Sequence, residues 1–236
     1  MSFLQRIKPV IAIDGPAGAG KSTVAAHLAR TFGYLNLETG AMYRALALKA
    51  LEVDLDLKDE SRLLDLAAHT TIMLEPSEQG SRVLLDGKDV SQRVREGDVT
   101  AAASCVSVHA HLRSWMVDQQ RAMGAAGGVV MEGRDIGTVV FPDAEVKIFL
   151  DAAPEVRGNR RYLQIMPKRA EIRSLTEADV VAELTVRDER DRNRAESPLR
   201  PAVDAIILNS SSMTLAEVLD RTEELVQHYL VSKAIG

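Results

Sequence analysis

The sequence predicts an α/β protein with a three-layer core around a five-stranded parallel sheet. Three observations carry this. Five short apolar runs, Val10–Ile13, Tyr34–Leu37, Val129–Met131, Val146–Leu150 and Ala205–Leu208, lack strict alternation, as strands buried on both faces do. Helical patterns separate these runs. The first run also ends at Asp14 in the glycine-rich segment Gly15-Pro16-Ala17-Gly18-Ala19-Gly20-Lys21-Ser22-Thr23, which opens straight into a helix.

That segment is the full phosphate-binding loop pattern, Gly15-x4-Gly20-Lys21-Ser22, in its strand–loop–helix setting. Its small residues let the backbone wrap a phosphate chain with N–H groups pointing inward. The helix N-terminus that follows adds a favourable field for an anion. Lys21 can reach β- and γ-phosphates, and the Ser22 hydroxyl is placed to ligate magnesium. The motif alone leaves ATPase, GTPase and kinase open.

The first helix is expected over Ser22–Phe32. After the second strand comes Glu38-Thr39-Gly40-Ala41-Met42-Tyr43-Arg44, with a helix over Ala41–Leu51 and Thr39 as its cap. Between Leu57 and Asp98 the alternation breaks. Strand-like pieces (Thr71–Leu74, Arg82–Val90) around the turn Glu75-Pro76-Ser77-Glu78-Gln79-Gly80 predict a small antiparallel insert, either a structural cap or a substrate grip. A helix over Val99–Gln120 continues to about Met123 and stops at Gly124-Ala125-Ala126-Gly127-Gly128. After the third strand, Glu132-Gly133-Arg134-Asp135-Ile136-Gly137-Thr138 sets a charged pair between glycines. Met213-Thr214-Leu215-Ala216-Glu217 opens a C-terminal amphipathic helix.

At 236 residues the chain can bury one substantial core with room for inserts. A net charge of −5 argues against a bulk nucleic-acid binder. Cys105 is the single cysteine, which excludes an internal disulfide and a cysteine metal cluster; its helical setting predicts a packed side chain. Asp14 and the glycines interrupt the first apolar run, so no signal peptide is read, and no run is long enough to span a membrane. The expectation is a soluble cytoplasmic enzyme.

Within this acidic chain, ten arginines gather between Glu155 and Arg200. Those at the margins read as solvated charge alternating with Glu and Asp. Arg187, Asp191 and Arg194, at i, i+4 and i+7, share one helix face, and arginine's planar fork suits phosphate oxygens. Arg157 and Arg161, one turn apart after the fourth strand, lie at the sheet edge that carries the loop. Lys21, Arg44, Arg134, Arg157, Arg161, Arg187 and Arg194 thus converge on one cleft, more positive charge than one nucleoside triphosphate needs. Two phosphorylated ligands meeting end to end would use it. Phosphoryl transfer between them is mostly positioning and electrostatics, and an acceptor phosphate needs no strong base. No water-positioning motif for a hydrolase and no Asn-Lys-x-Asp element for guanine is present.

With these residues in view, the chain resembles the bacterial cytidylate kinases, of the nucleoside-monophosphate kinase family, along essentially its whole length. The matching stretches are IDGPAGAGKST (Ile13–Thr23), ETGAMYR (Glu38–Arg44), EGRDIGTVVFPDAEVKIFLDA (Glu132–Ala152) and RDERDRNRAESPL (Arg187–Leu199). The resemblance implies a P-loop kinase fold with a core (1–56, 99–154, 189–236), an antiparallel monophosphate-binding insert (57–98) and a helical lid (155–188). It implies transfer from ATP, with Mg2+ at Ser22, to CMP and dCMP, giving CDP and dCDP.

By the same resemblance ATP lies on Gly15 to Thr23, with Arg157 near the adenine and Arg161 near the phosphates. Thr39, Arg44, Arg134 and Arg187 meet the acceptor phosphate. Ser104, Arg113 and Asp135 meet cytosine, and Asp191 and Arg194 the sugar. Lys21, Arg134, Arg161 and Arg187 carry the catalysis. Ser104 and Arg113 are marked by the resemblance alone. A monomer is implied. Glu38 stands where Asp is common, and Pro167–Leu175 is longer than usual for a lid. Two other readings remain: the same fold with UMP, AMP or a shikimate-like alcohol as acceptor, and a nucleotide-regulated binding protein without turnover, which would not need seven convergent cations.

Overall fold

The chain runs β1 (Val10–Asp14), α1 (Lys21–Phe32), β2 (Leu35–Glu38), α2 (Thr39–Glu52) and α3 (Glu60–Ala68). Then come β3 (Ile72–Ser77), β4 (Gly80–Leu85), β5 (Lys88–Asp89), a 3-10 turn (Arg93–Arg95), α4 (Gly97–Val106) and α5 (Ala110–Gly124). The second half holds β6 (Val129–Gly133), a π-turn (Ile136–Val140), β7 (Val146–Asp151), α6 (Pro154–Ile165), α7 (Glu177–Asn193), β8 (Ile206–Asn209) and α8 (Leu215–Ile235). The computed structural model describes residues 6–77, 80–166 and 176–235.

The five apolar runs form one parallel sheet in the order β2-β6-β1-β7-β8. The first strand by sequence is central, and all five of its residues are buried. Ile11 and Ile13 face α1 and α8, packing on Val24, Leu28, Val218 and Val226. Val10 and Ala12 face the other way, onto Val117 of α5 and the π-turn residues Ile136 and Val140. Cover on both faces is why the strand shows no alternation. Because the sheet order places β6 and β7 on opposite sides of β1, the crevice lies at the C-terminal edge of these three strands. Every segment singled out for charge opens there.

The insert is antiparallel, with the order β3-β4-β5. The sequence reading missed its helix α3, which Asp59 caps by accepting the Arg62 N–H. The insert shares a core with α2, α4 and α5: Leu63, Ile72, Val83, Leu85 and Val94 pack into the cluster that buries Ala45, Leu46 and Leu48. It therefore braces α2, the helix that carries Tyr43 and Arg44.

Three further expectations change. The helix expected over Val99–Gln120 is two helices, with the break at Ser107-Val108-His109, where His109 takes extended backbone and its ring meets the Leu57 carbonyl at 2.8 Å. No Gly or Pro marks the break; contact with the insert makes it. Cys105 is exposed instead of packed, because it falls on the outer face of α4. Thr39 does not cap α2: Glu38 holds the cap position, and the Thr39 hydroxyl donates to the Glu132 carbonyl at 2.8 Å. The long segment Pro167–Leu175 and part of the turn at Glu78-Gln79 lie outside the described residues.

Candidate active site

The loop after β1 closes around residues that cannot carry a side chain. Gly15 has φ +149°, and a Cβ there would sit 2.0 Å from the Leu150 carbonyl oxygen of β7. Gly18 and Gly20 also have positive φ, and α1 begins at Lys21 with no side-chain cap, so its first N–H groups remain available to an anion.

Under the loop lies a buried cluster of Asp14, Lys21 and Glu132, each no more than 5% exposed. Asp14 accepts the Ile136 and Gly137 N–H groups at 2.8 and 2.7 Å and so ties the π-turn to the loop strand. Burial pushes its carboxyl up to about 6 despite those bonds. Lys21 donates to the Pro16 carbonyl at 2.8 Å. Burial, with Arg134 and Arg187 nearby, pushes the Lys21 ammonium down to about 7. Glu132 accepts from the Ser22 hydroxyl at 2.6 Å, and burial raises its carboxyl as well. Asp14 and Glu132 carried no role in the sequence reading. A carboxylate at a strand end beside the loop was the available signal.

Toward the acceptor side, charges alternate in a chain. Arg134 Nε donates to Asp191 at 2.8 Å, and Asp191 lies 3.7 Å from Arg194. Arg194 lies 3.8 Å from Asp135, whose carboxylate accepts from Arg113. Burial pushes the Asp191 carboxyl up, and Arg134 and Arg194 outweigh it, so it sits below its ordinary value. Arg194 is not on the helix face that the spacing predicts. It follows the last turn of α7 in extended backbone, and its Nε donates to the Ser197 carbonyl, which still brings it beside Asp191.

Tyr43, unassigned from sequence, forms the wall of this end. The Arg113 guanidinium lies 5.7 Å from its ring centre, and burial pushes its hydroxyl up to about 12. Ser104 is half-buried one turn before the α4–α5 break; its hydroxyl donates to the Thr100 carbonyl at 3.2 Å. Arg44 pairs with Glu38. Arg44 Nε, Arg113 Nε and Arg194 Nη2 are buried with no hydrogen-bond partner among the described residues. Unpaired buried guanidinium donors are costly in a resting protein, and three facing one cleft point to a ligand rich in acceptors.

Arg187 projects from α7 into the same space. Burial and neighbouring Arg134 push it down to about 10, against the opposing pull of Asp191. Arg161 is exposed on α6. Arg157, expected near the adenine, is turned inward with its guanidinium engaged by the protein. It is 2% exposed behind the loop, donating to the Ala152 and Ala17 carbonyls at 2.8 and 2.9 Å and pairing with Asp188.

A family model described as cytidylate kinase matches residues 11–228. The cytidylate kinase of Pelotomaculum thermopropionicum is 50% identical over 212 residues, covering 89% of this chain and 92% of that protein. Those of Vibrio parahaemolyticus and a Geobacter species are 43% and 42% identical over 222 and 230 residues. They cover 94% and 98% of this chain, and 97% of each relative.

Proposed function

The chain belongs to the cytidylate kinase family, and from that premise we propose that it transfers the γ-phosphoryl group of ATP to CMP and dCMP. The observation that carries the reading is the chain of ion pairs from Arg134, near Lys21, through Asp191 and Arg194 to the Asp135–Arg113 pair. It runs from the phosphate loop to the buried Asp135–Arg113 pair, to which we assign the base.

In the reaction an acceptor phosphate oxygen attacks the γ-phosphorus of ATP, a new P–O bond forms, and the bond to the β-phosphate oxygen breaks to release ADP. We assign Gly15 to Thr23 to the donor phosphates, with Lys21 on the β/γ oxygens and Arg161 reaching in from the lid. Thr39, Arg44, Arg134 and Arg187 hold the acceptor phosphate, and Arg134 and Arg187 neutralise the charge that spreads over the transferring group. Arg44 must exchange Glu38 for that phosphate.

Ser104, Arg113 and Asp135 receive cytosine, with Asp135 accepting from its exocyclic amino group. Asp191 and Arg194 take the sugar. UMP is the poorer acceptor on this reading, since uracil offers a carbonyl where cytosine offers an amino donor.

The oxygen donors Ser22 and Glu132 fit Mg2+, which binds through one or two carboxylates plus substrate phosphates. Among the described residues no group of three or more His, Cys, Asp or Glu could hold a metal; substrate oxygens and waters would complete the coordination. When bound, the ion neutralises charge on the β- and γ-oxygens.

We take 57–98 as the acceptor-side insert and 155–188 as the lid. All the residues named come from one chain, and a monomer working in the cytoplasm, where its nucleotides are, is the simplest form. No helix among the described residues is long and apolar enough to cross a membrane. The decisive experiment is an acceptor panel of CMP, dCMP, UMP, AMP and GMP with ATP and magnesium, read as ADP production. CMP and dCMP are expected to lead, and AMP or GMP leading would overturn the reading.

The low Lys21 value gives a separate test. With its pKa near 7 in the free protein, Lys21 is mostly neutral at pH 8. A triphosphate beside Nζ favours the ammonium, so ATP binding at pH 8 takes up roughly one proton at most. Calorimetry in two buffers of different ionisation enthalpy measures this. No uptake in the wild type, or the same uptake in Lys21→Met, removes Lys21 as its source.

A further inference from the structure

Asp188 lies in the arginine-rich stretch of α7, between Arg187 and Asp191, yet it points away from the cleft and is 1% exposed. Its Oδ1 accepts the Ala17 N–H at 3.0 Å, and its Oδ2 accepts from Arg157. Arg157 returns the contact by donating to the Ala17 carbonyl at 2.9 Å and fixes itself on the Ala152 carbonyl at the end of β7. Both backbone polar groups of Ala17, in the middle of the phosphate loop, are therefore bound by one buried ion pair.

Apolar contacts surround the pair. Ala17 packs with Val180, Leu184 and Tyr162. A Cβ on Gly18 would lie 3.2 Å from the Arg157 carbonyl oxygen, and one on Gly158 would lie 2.1 Å from Val181 Cγ2. The loop, α6 and α7 meet closely here, and at Gly158 there is no room for a methyl group.

A loop amide held by a carboxylate is not free for phosphate. Its task is to fix the curvature of the segment so that the neighbouring amides face the ligand. The same residue sits beside Arg187 and one turn before Asp191. We infer that Asp188 and Arg157 are positioning residues: they clamp the phosphate loop from behind at Ala17 and hold the base of the lid, with the acceptor-side groups Arg187 and Asp191, in register with the donor phosphates.

The inference rests on the loop holding ATP, and the two can fail separately. Titration of the imido analogue of ATP with magnesium, and of CMP in a separate cell, reads each substrate alone. If the wild type does not bind the analogue, the donor assignment itself is wrong.

If the wild type binds it, Asp188→Asn is expected to weaken the analogue roughly tenfold and to lower kcat at saturating substrates by about the same or more, since small misplacements near reacting groups carry such losses. Affinity for CMP alone should fall less than affinity for the analogue, because Thr39, Arg44, Arg134 and Asp135 stand outside α7. Arg157→Lys, which keeps the charge but can make fewer of the three contacts, is expected to show the same pattern in weaker form, and it decides the matter if Asp188→Asn does not fold. Equal losses for both ligands, or analogue binding unchanged in the folded variants, would overturn the inference. The Ala17 amide of the wild type, free of nucleotide, should be protected from hydrogen exchange; a fast-exchanging amide would overturn it without any substitution.

Discussion

Replacing Lys21 by methionine is expected to lower kcat by about 10³-fold while leaving the protein folded. The side chain is 5% exposed with its ammonium on the Pro16 carbonyl, between the loop and the carboxylates Asp14 and Glu132. Methionine replaces the aliphatic stem and removes a cation that the fold holds at a cost, as the lowered pKa shows. The linkage has a definite sign. A lysine whose folded value lies below its unfolded one loses stability as pH falls from about 10 to about 7, and that cost is fully present below 7. Removing it therefore offsets the lost hydrogen bond, and the melting temperature at pH 6 to 7 should stay within a few degrees.

The kinetic loss should fall on kcat more than on KM for ATP. The charge matters most where the β/γ bridging oxygen gains negative charge in the transition state, and the loop amides still hold the ground state. Steady-state kinetics with a melting curve on the same preparation check both halves. Full turnover in a folded Lys21→Met protein would remove the loop from the chemistry.

What the sequence shows and what it hides follow one physical division. Periodicity and glycine spacing are local, so the five strands and the loop were legible to within a residue or two at each end. The small shift at β2, read from Tyr34 and found from Leu35, is of that kind. The break between α4 and α5 was not legible, because it depends on His109 meeting Leu57, some fifty positions earlier in the chain. Helix α3 was lost inside a region read by its turns.

Among the site residues, the arginines could be placed by type and by strand end, but their partners could not. Arg157 and Arg161 look alike in sequence, one turn apart on α6. Only the fold turns one inward onto Asp188 and leaves the other exposed. Asp188 itself, inside an alternating charge run, has the local pattern of a solvated residue, and its burial comes from the packing of α7 on the loop and on Arg157 of α6.

The change from Asp135 to asparagine is expected to shift acceptor choice more than any other at the pocket. Asp135 follows β6 at 7% exposure, pairs with Arg113 and lies 3.8 Å from Arg194. On the proposed reading its carboxylate accepts from the cytosine amino group and repels the uracil carbonyl. An amide keeps an acceptor for Arg113 but can turn an N–H toward the base, so it suits uracil as well as cytosine. A discriminating polar contact of this kind is worth roughly 2–3 kcal/mol, so the ratio of kcat/KM for CMP over UMP should fall by about 30- to 150-fold.

Stability falls too, because Arg113 keeps a neutral partner in place of a charged one, and breaking a buried pair costs about 3–5 kcal/mol when the partner is removed outright. Asparagine is preferred to alanine for that reason, and kinetics are taken well below the variant's melting temperature. The selectivity ratio is insensitive to the fraction folded, since both acceptors meet the same protein. A large loss for CMP and UMP alike, with the ratio unchanged, would mean that Asp135 supports the arginines without touching the base, and cytosine recognition would then have to be sought around Ser104 and Tyr43.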